Sequence, residues 1–306
     1  MSELTIANGW WDKTHISPSK LSTWTDCQMK FWFRYVQGLR KPPKIWLPQG
    51  TAVHIGVEDL LEDLPKGTLK PLEEYTLRAR EQWEQECAKS GVYTGKGDLM
   101  TEEALERAFD DAMYWLQGFY DAVKDGGLID GFDVREVRET EIDAIREVKW
   151  PEGWDLGELH VRGKIDWVVD TSGPVARLAD LKTASPSFGW DPSKAHSQVQ
   201  ATAYGFLTGK PTTFDYIVIP KESKYTKSGN LRDNPKRATP YRIATKRHEF
   251  HYEMLMHQLR DFVLLSDVHN DYANFHPFPN HTPGKWGSWC GHLCDFQAEC
   301  QKMHGM

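Results

Sequence analysis

Asp166, Asp180 and Lys182 are the residues whose types and spacing point most directly to chemistry. They lie in two short apolar runs, Lys164–Val169 and Val175–Leu181, on either side of Asp170-Thr171-Ser172-Gly173-Pro174. β-Branched alternation flanking a Gly/Pro/Ser break is the pattern of a β-hairpin. In a loop symmetric about Gly173, residues equidistant from it face each other. Asp166 and Asp180 are such a pair, which sets their Cβ atoms about 5 Å apart on one face. Lys182, two residues past Asp180, projects from that same face. Two carboxylates and a lysine are costly to bury together without a ligand, and a divalent cation is the obvious one. The competing reading is a solvated strand face with a salt bridge.

The elements that must position these residues follow from the pattern on either side. The chain has 306 residues, a net charge of −7 and thirteen Trp residues. It has the length for a packed core, no apolar run long enough to span a membrane and no charged-then-apolar leader. The expectation is a cytoplasmic protein with no membrane partner. Ser17 and Pro18 are the N-cap and first residue of a helix that carries Leu21 to Tyr35, basic residues and Cys27, and ends at Pro42-Pro43. A second helix starts at Gly50-Thr51-Ala52-Val53-His54 and runs to about Asp63, with His54 and Glu58 on one face. Residues 71–125 are helical, broken near Gly91–Gly97. From Val134 the period becomes that of strands: Val137–Val148, Glu158–Val169, the hairpin partner 175–182 and Phe214–Pro220. Ala195–Leu207, with Gln198, Gln200 and Tyr204, and Phe250–Leu265 are helices. Residues 221–247 carry nine Lys/Arg against Glu222 and Asp233, a local reversal of sign in an acidic chain.

The order Gly50…His54, Gly163-Lys164-Ile165-Asp166, Asp180-Leu181-Lys182-Thr183 and Gln200…Tyr204 resembles the PD-(D/E)XK nuclease superfamily. Within it the chain is most similar to RecB-type nuclease domains and to the iron–sulfur CRISPR-associated exonucleases with their phage relatives. Ser17-Pro18-Ser19-Lys20-Leu21 and the helix with Cys27 are also similar. The resemblance covers residues 17–60, 140–220 and 286–300. It implies an α/β restriction-endonuclease-like core, a mixed central sheet flanked by helices, with a helical insertion and an iron–sulfur-stapled N-/C-terminal module. Residues 1–306 would be a single nuclease domain. Its parts would be the first helix at 17–45, the insertion at 65–133, the catalytic sheet at 134–220, a basic DNA-path segment at 221–247 and a Cys-rich module at 274–306.

Carried over residue by residue, the resemblance implies that Asp166, Asp180, His54 and the Leu181 carbonyl hold a catalytic cation. Lys182 would orient the attacking water, and Gln200 and Tyr204 complete the catalytic set. Carboxylate oxygens suit Mg²⁺ or Mn²⁺, and an imidazole tilts the choice toward Mn²⁺. Glu58 would act on the ligands from outside, with Glu139 or Glu141 as weaker candidates. Cys290, Cys294 and Cys300 cluster near the end of the chain, which in a reducing compartment indicates a metal. With Cys27 they resemble the one-plus-three thiolates of a 4Fe–4S cluster, although the three-residue gap between Cys290 and Cys294 is one longer than usual. Zinc, with His292 and His304 nearby, is the alternative. Cys87 is left over as a buried small residue. Lys30, Arg34, Lys41, Lys221, Lys224, Lys227 and Arg237 would line the path of single-stranded DNA or duplex ends, and Tyr225 would stack on an unpaired base.

The activity expected from the resemblance is metal-dependent exonucleolytic cleavage of DNA in recombination, repair or phage DNA metabolism, with a homo-oligomer possible. The alternatives are a CRISPR-adaptation trimming nuclease working with a partner and a non-catalytic DNA-binding subunit of the same fold.

Overall fold

The computed structural model describes residues 15–94, 97–170, 173–186, 189–268 and 294–304. Its strands are β1 (His15–Ile16), β2 (Leu128–Ile129), β3 (Phe132–Asp133), β4 (Glu139–Glu147), β5 (His160–Asp170), β6 (Ala176–Ala184), β7 (Thr212–Pro220) and β8 (Tyr241–Lys246). The helices are α1 (Pro18–Asp26), α2 (Gln28–Phe31), α3 (Trp46–Asp63), α4 (Leu72–Ser90), α5 (Glu102–Val123), α6 (Pro192–Ser197), α7 (Val199–Thr208), α8 (Glu249–Val268) and α9 (Gln297–His304).

Six strands form one mixed sheet in the order β1-β5-β6-β7-β8, with β4 on the other edge of β5, and β2 and β3 make a separate hairpin. β6 and β7 are parallel, while β4, β5 and β6 meander antiparallel. This is the mixed sheet expected from the pattern of strands. Helices α3 and α5 bury Val53, Val57, Leu116 and Phe119 against Trp167, Leu181 and Ile217 on one face. On the other, α7 buries Ala201 and Tyr204 against Leu178, Phe214 and Val218. β7 is buried from Phe214 to Ile219 because both of its faces are covered.

Several local expectations change. Ser17 does cap α1, its Oγ accepting from Lys20 N at 3.2 Å. The helix is not continuous to Tyr35. It breaks at Cys27, which is extended (φ −165°, ψ 111°), and resumes as α2 and then a π-helical turn over Trp32–Val36. The break lets Cys27 Sγ accept from Lys30 N at 3.4 Å. α3 starts a turn before Gly50, at Trp46, and the helix expected over Ala195–Leu207 is two, joined at Gln198. The basic segment ends in a strand, β8, whose Ile243 and Thr245 are buried while Ala244 and Lys246 face outward. Its charge density masks the alternation, and charge on an edge strand discourages pairing with other chains.

Gly163 shows why the segment before Asp166 has so little tolerance. A Cβ there would lie 3.1 Å from Leu207 and 3.2 Å from both Pro18 and Tyr204. Gly163→Val is therefore expected to push Tyr204 off its partners and lower stability by about 1–3 kcal/mol, read as a shift in the urea midpoint. An unchanged midpoint would mean that this close approach is not maintained in solution.

Candidate active site

The site begins where two paired strands part. β5 and β6 pair as Trp167↔Ala179 and Val168↔Leu178, with a register shift between Val168 and Asp170. The loop is thus not symmetric about Gly173. The irregularity lies on the loop side, and past it the register is the one expected: one step beyond Trp167↔Ala179, Asp166 faces Asp180. At that step the ladder opens. The Leu181 N–H has no strand partner and donates to Asp166 Oδ2 at 3.2 Å instead. The Lys164 carbonyl accepts from the Tyr204 hydroxyl at 2.5 Å. The expected site on a single sheet face is therefore replaced by a fork in the sheet. Backbone groups released by the parting strands are taken up by the site's own side chains.

The fork lets helices from opposite faces reach the same point. From the α7 side, Gln200 Nε2 donates to Asp180 Oδ1 at 2.9 Å and to Tyr204 Oη at 3.0 Å. Gln200, not Gln198, makes this contact; Gln198 gives its carbonyl to Arg247 at 3.2 Å. From the α3 side, His54 Nδ1 stands 3.7 Å from Asp166 Oδ2. Lys182 forms an ion pair with Asp180. Asp180 is completely buried. Tyr204→Phe would leave the Lys164 carbonyl without the hydroxyl and Gln200 with Asp180 alone of its two partners, a loss of about 1–3 kcal/mol. Urea unfolding of the variant checks this, and no loss would show the hydroxyl to be dispensable.

Asp166 has a second neighbour. The β4–β5 ladder pairs Thr140↔Trp167 and Ile142↔Ile165, so Glu141 stands across from Asp166, yet it is not paired. Its φ of +54° explains the gap. A left-handed glutamate inside a strand costs about 1–3 kcal/mol and persists only where its surroundings impose it. The twist brings Glu141 to Glu58 and His54, and the ligand atoms of the three lie within 4.8 Å of one another. Glu141 also forms an ion pair with Lys164. Glu58 and Glu141 thus enter as donors in their own right, more central than the sequence suggested. Its sole sequence-level signal was an acidic residue in the strand before the hairpin.

Burial sets the electrostatics of the site. Burial, and then Asp166, pushes Asp180 from 3.8 to about 7. Burial also raises Asp166, and burial with Asp166 nearby raises Glu58 from 4.5 to about 7. Burial and Lys182 lower His54 from 6.5 to about 4, leaving the neutral imidazole that a ligand must be. Hard oxygen donors plus one neutral imidazole suit a divalent cation.

The other residues singled out by sequence are spread more widely. Cys27, Cys294 and Cys300 pack against one cluster with Trp24, Phe33 and Phe296. Burial raises the Cys294 thiol, with Cys27 close enough to add to it. Among the described residues these thiols do not close to the spacing of the His54 group. Cys290, His292 and most of 274–306 lie outside the described residues. Cys87 is half-buried, its thiol pushed up to about 11 by burial. Lys41 forms an ion pair with Glu299, and Arg34 lies 5.5 Å from the Tyr35 ring. Lys30 sits in α2.

Much of the basic segment is tied to α5. Lys224 N donates to Asp111 at 2.8 Å, Tyr225 Oη to Asp110 at 2.6 Å, and Arg237 lies 3.8 Å from Asp121. Lys227 is exposed at its tip. Tyr225 is thus fixed to α5 and does not stand free to stack. Arg242 neutralises the buried Asp215 at 2.6 Å, and Arg247 holds the carbonyls of Ala195 and Gln198, so both serve the fold. Lys221 follows the end of β7, its N–H donating to Ala184 O at 2.8 Å and its Nζ 5.4 Å from the Trp115 ring.

A mixed sheet whose fork gathers an Asp pair, an Asp-x-Lys and a His from the preceding helix defines the class of the α/β nuclease cores. The chain matches the PD-(D/E)XK nuclease superfamily over residues 15–301 and belongs to it. It is similar to the Gene 69 protein of Mycobacterium phage L5, 27% identical over 235 residues, which is 67% of this chain and 76% of that protein. Among solved structures it is similar to a candidate exonuclease from Eubacterium rectale. The TM-score is 0.46 with 11% identity, over 87% of this chain and 84% of the other. It is also similar to the protein SSO0001, with a TM-score of 0.39 and 12% identity over 95% and 88%. Among the described residues no helix is long and apolar enough to cross a membrane.

Proposed function

We propose that the protein is a divalent-cation-dependent deoxyribonuclease that works from DNA ends. The observation that carries this reading is the meeting of Asp166, Asp180, Lys182 and His54 in the fork between β5 and β6. Asp166 and Asp180 would hold Mg²⁺ or Mn²⁺ with His54 and the Leu181 carbonyl, and Glu58 and Glu141 extend the donor set on the far side of His54. When bound, the cation offsets charge on the scissile phosphate and favours hydroxide at the attacking water. Lys182, paired with Asp180, would orient that water and offset charge on the phosphate. Gln200 keeps Asp180 turned toward the fork, and Tyr204 keeps Gln200 in place. Lys221 contacts phosphate. Lys30, Arg34, Lys41, Lys224, Lys227 and Arg237 provide sequence-independent attraction along the flanks.

The thiolates of Cys27, Cys290, Cys294 and Cys300 would hold a 4Fe–4S cluster that staples α1–α2 to the C-terminal segment. The reading is supported by the gathering of Cys27, Cys294 and Cys300 on one aromatic cluster and by the N–H donated to Cys27 Sγ. Visible absorbance after anaerobic purification indicates iron–sulfur, and a colourless protein with one zinc overturns it.

The test of the main reading is hydrolysis of end-labelled single- and double-stranded oligonucleotides, with Mg²⁺ or Mn²⁺, against a covalently closed circular control. Stepwise shortening of the linear substrates alone is expected. Rapid cutting of the circle would make the protein an endonuclease, and cleavage of neither in either metal would favour a non-catalytic DNA-binding subunit.

A further inference from the structure

The single helix expected over Ala195–Leu207 is broken at Gln198, and a buried arginine holds the break. Gln198 ends α6 and begins α7 with φ −71° and ψ 120°, and its side chain does not cap α7. Arg247 reaches the joint instead. Its Nη2 donates to Ala195 O at 3.0 Å and to Gln198 O at 3.2 Å. The first of these carbonyls belongs to the last turn of α6, where a helix leaves its acceptors open. Arg247 is itself fixed at both ends. Its backbone N–H donates to Thr212 O at 2.8 Å, at the start of β7, and its Nη1 donates to the Thr245 hydroxyl at 3.2 Å.

A guanidinium is an unusual means of satisfying two carbonyls. Arg247 is 2% exposed and has no carboxylate partner among the described residues. A buried cation without a counter-charge is costly, and a neutral amide could donate to the same two oxygens. What the guanidinium adds is a rigid planar fork that fixes direction as well as contact. That fork is set close to Asp180. Gln200 is the second residue of α7, so its amide moves with the joint, and it donates to Asp180 Oδ1 at 2.9 Å. Tyr216, completely buried on β7, is the ladder partner of Asp180. Its hydroxyl lies within reach of the charges of both Asp180 and Arg247.

We propose that Arg247 is a positioning residue for the Asp180 carboxylate: it sets the α6–α7 joint, and the joint sets where Gln200 meets Asp180. The inference rests on the nuclease reading of the fork and adds to it a residue that touches neither cation nor DNA. Displacement of a reacting geometry by about 1 Å can lower a rate by about a hundredfold. Contacts to DNA are unaffected, so the loss falls on kcat and on cation affinity.

Arg247→Lys keeps the charge and loses the fork. It can be compared with Gln200→Ala and with the double variant, each shown to be folded by urea unfolding. Calorimetry reads Mn²⁺ affinity without DNA, and end-labelled oligonucleotides read kcat and KM. Arg247→Lys is expected to weaken Mn²⁺ binding and to lower kcat, each by about tenfold, at unchanged KM. In the Gln200→Ala background the same substitution should add nothing to either loss, because the residue it acts through is already gone. Thr245→Val removes only the hydroxyl that orients the guanidinium and should show the same pattern at about threefold. It decides the question if Arg247→Lys does not fold. Wild-type Mn²⁺ affinity and kcat in the folded variant would overturn the proposal. Losses that multiply in the double variant would overturn it by giving Arg247 a general structural role, and a rise in KM alone would make it a DNA contact instead. Mn²⁺ binding with the expected pattern in a protein that does not cut would leave Arg247 in its role and refute the nuclease reading alone.

Discussion

Asp180→Asn is expected to abolish cleavage, by about a thousandfold or more, while making the cation-free protein more stable at pH 8. Both effects have one cause. Asp180 is fully buried, pressed against Asp166, and holds its proton up to about pH 7 in the folded chain, against 3.8 ordinarily. Between those values the folded state binds more protons than the unfolded state, so unfolding free energy falls as pH rises. The stability contribution is complete below about pH 4 and lost as pH passes about 7. A change from 3.8 to about 7 corresponds to about 4 kcal/mol at most, part of which Asp166 shares. Asparagine keeps the acceptor for Gln200 without the charge. Urea unfolding in chelator should therefore give similar stabilities for the two proteins near pH 4 and a variant more stable by a few kcal/mol at pH 8. Equal stability at both pH values would show that the carboxylate is not strained in the fork, and cleavage within tenfold of wild type would remove Asp180 from the chemistry. Lys182→Ala should lose activity to a similar degree without gaining stability, since it leaves both acids in place.

Excess chelator should stop cleavage completely, and restored Mn²⁺ or Mg²⁺ should recover it and also raise the unfolding temperature. A cation at about a hundred times its Kd stabilises by about 2.7 kcal/mol, which for a chain of this size is about 5 °C. Protons and cation compete for Asp180 and Asp166, so the rise should be largest above pH 7 and shrink as pH falls through it. Asp166→Asn and Asp180→Asn should each lose most of the rise. Differential scanning fluorimetry with and without cation at pH 6 and pH 8 reads all of this. Cleavage that persists in chelator would refute the proposed cation chemistry. A shift of equal size in the wild type and both variants would place the cation elsewhere.

Local pattern made several features legible beforehand. Ser17 and Pro18 announce α1 because a cap acts within one turn. Asp166, Asp180 and Lys182 could be grouped by strand period within the hairpin, and Gly163, Gln200 and Tyr204 joined them through the resemblance to the nuclease superfamily. Gln200 could be preferred to Gln198 since one helical turn reaches Tyr204, and Gln200 makes that contact. The basic run was a poorer guide. Its charge left a solvated loop and a DNA-facing path equally open, but Arg242 and Arg247 are internal counter-charge and caps, and Tyr225 is held by Asp110. A residue's charge is visible in a sequence; the carboxylate or carbonyl that neutralises it is not.

By itself the sequence determined the strand–turn–strand unit, the register that sets Asp166 opposite Asp180, and the helical spacings that bring Gly50 with His54 and Gln200 with Tyr204. These are short-range consequences of periodicity and turn chemistry. Tertiary structure alone decided that the strands part beyond Trp167 and Ala179, so that His54 from one face and Gln200 from the other meet at the same carboxylates. It also decided the left-handed Glu141 across from Asp166. The physical reason is that a ladder opens only where side chains from distant segments, here Asp166 and Tyr204, can satisfy the backbone groups it releases. That balance depends on packing across both faces of the sheet at once, and no single stretch of residues records it.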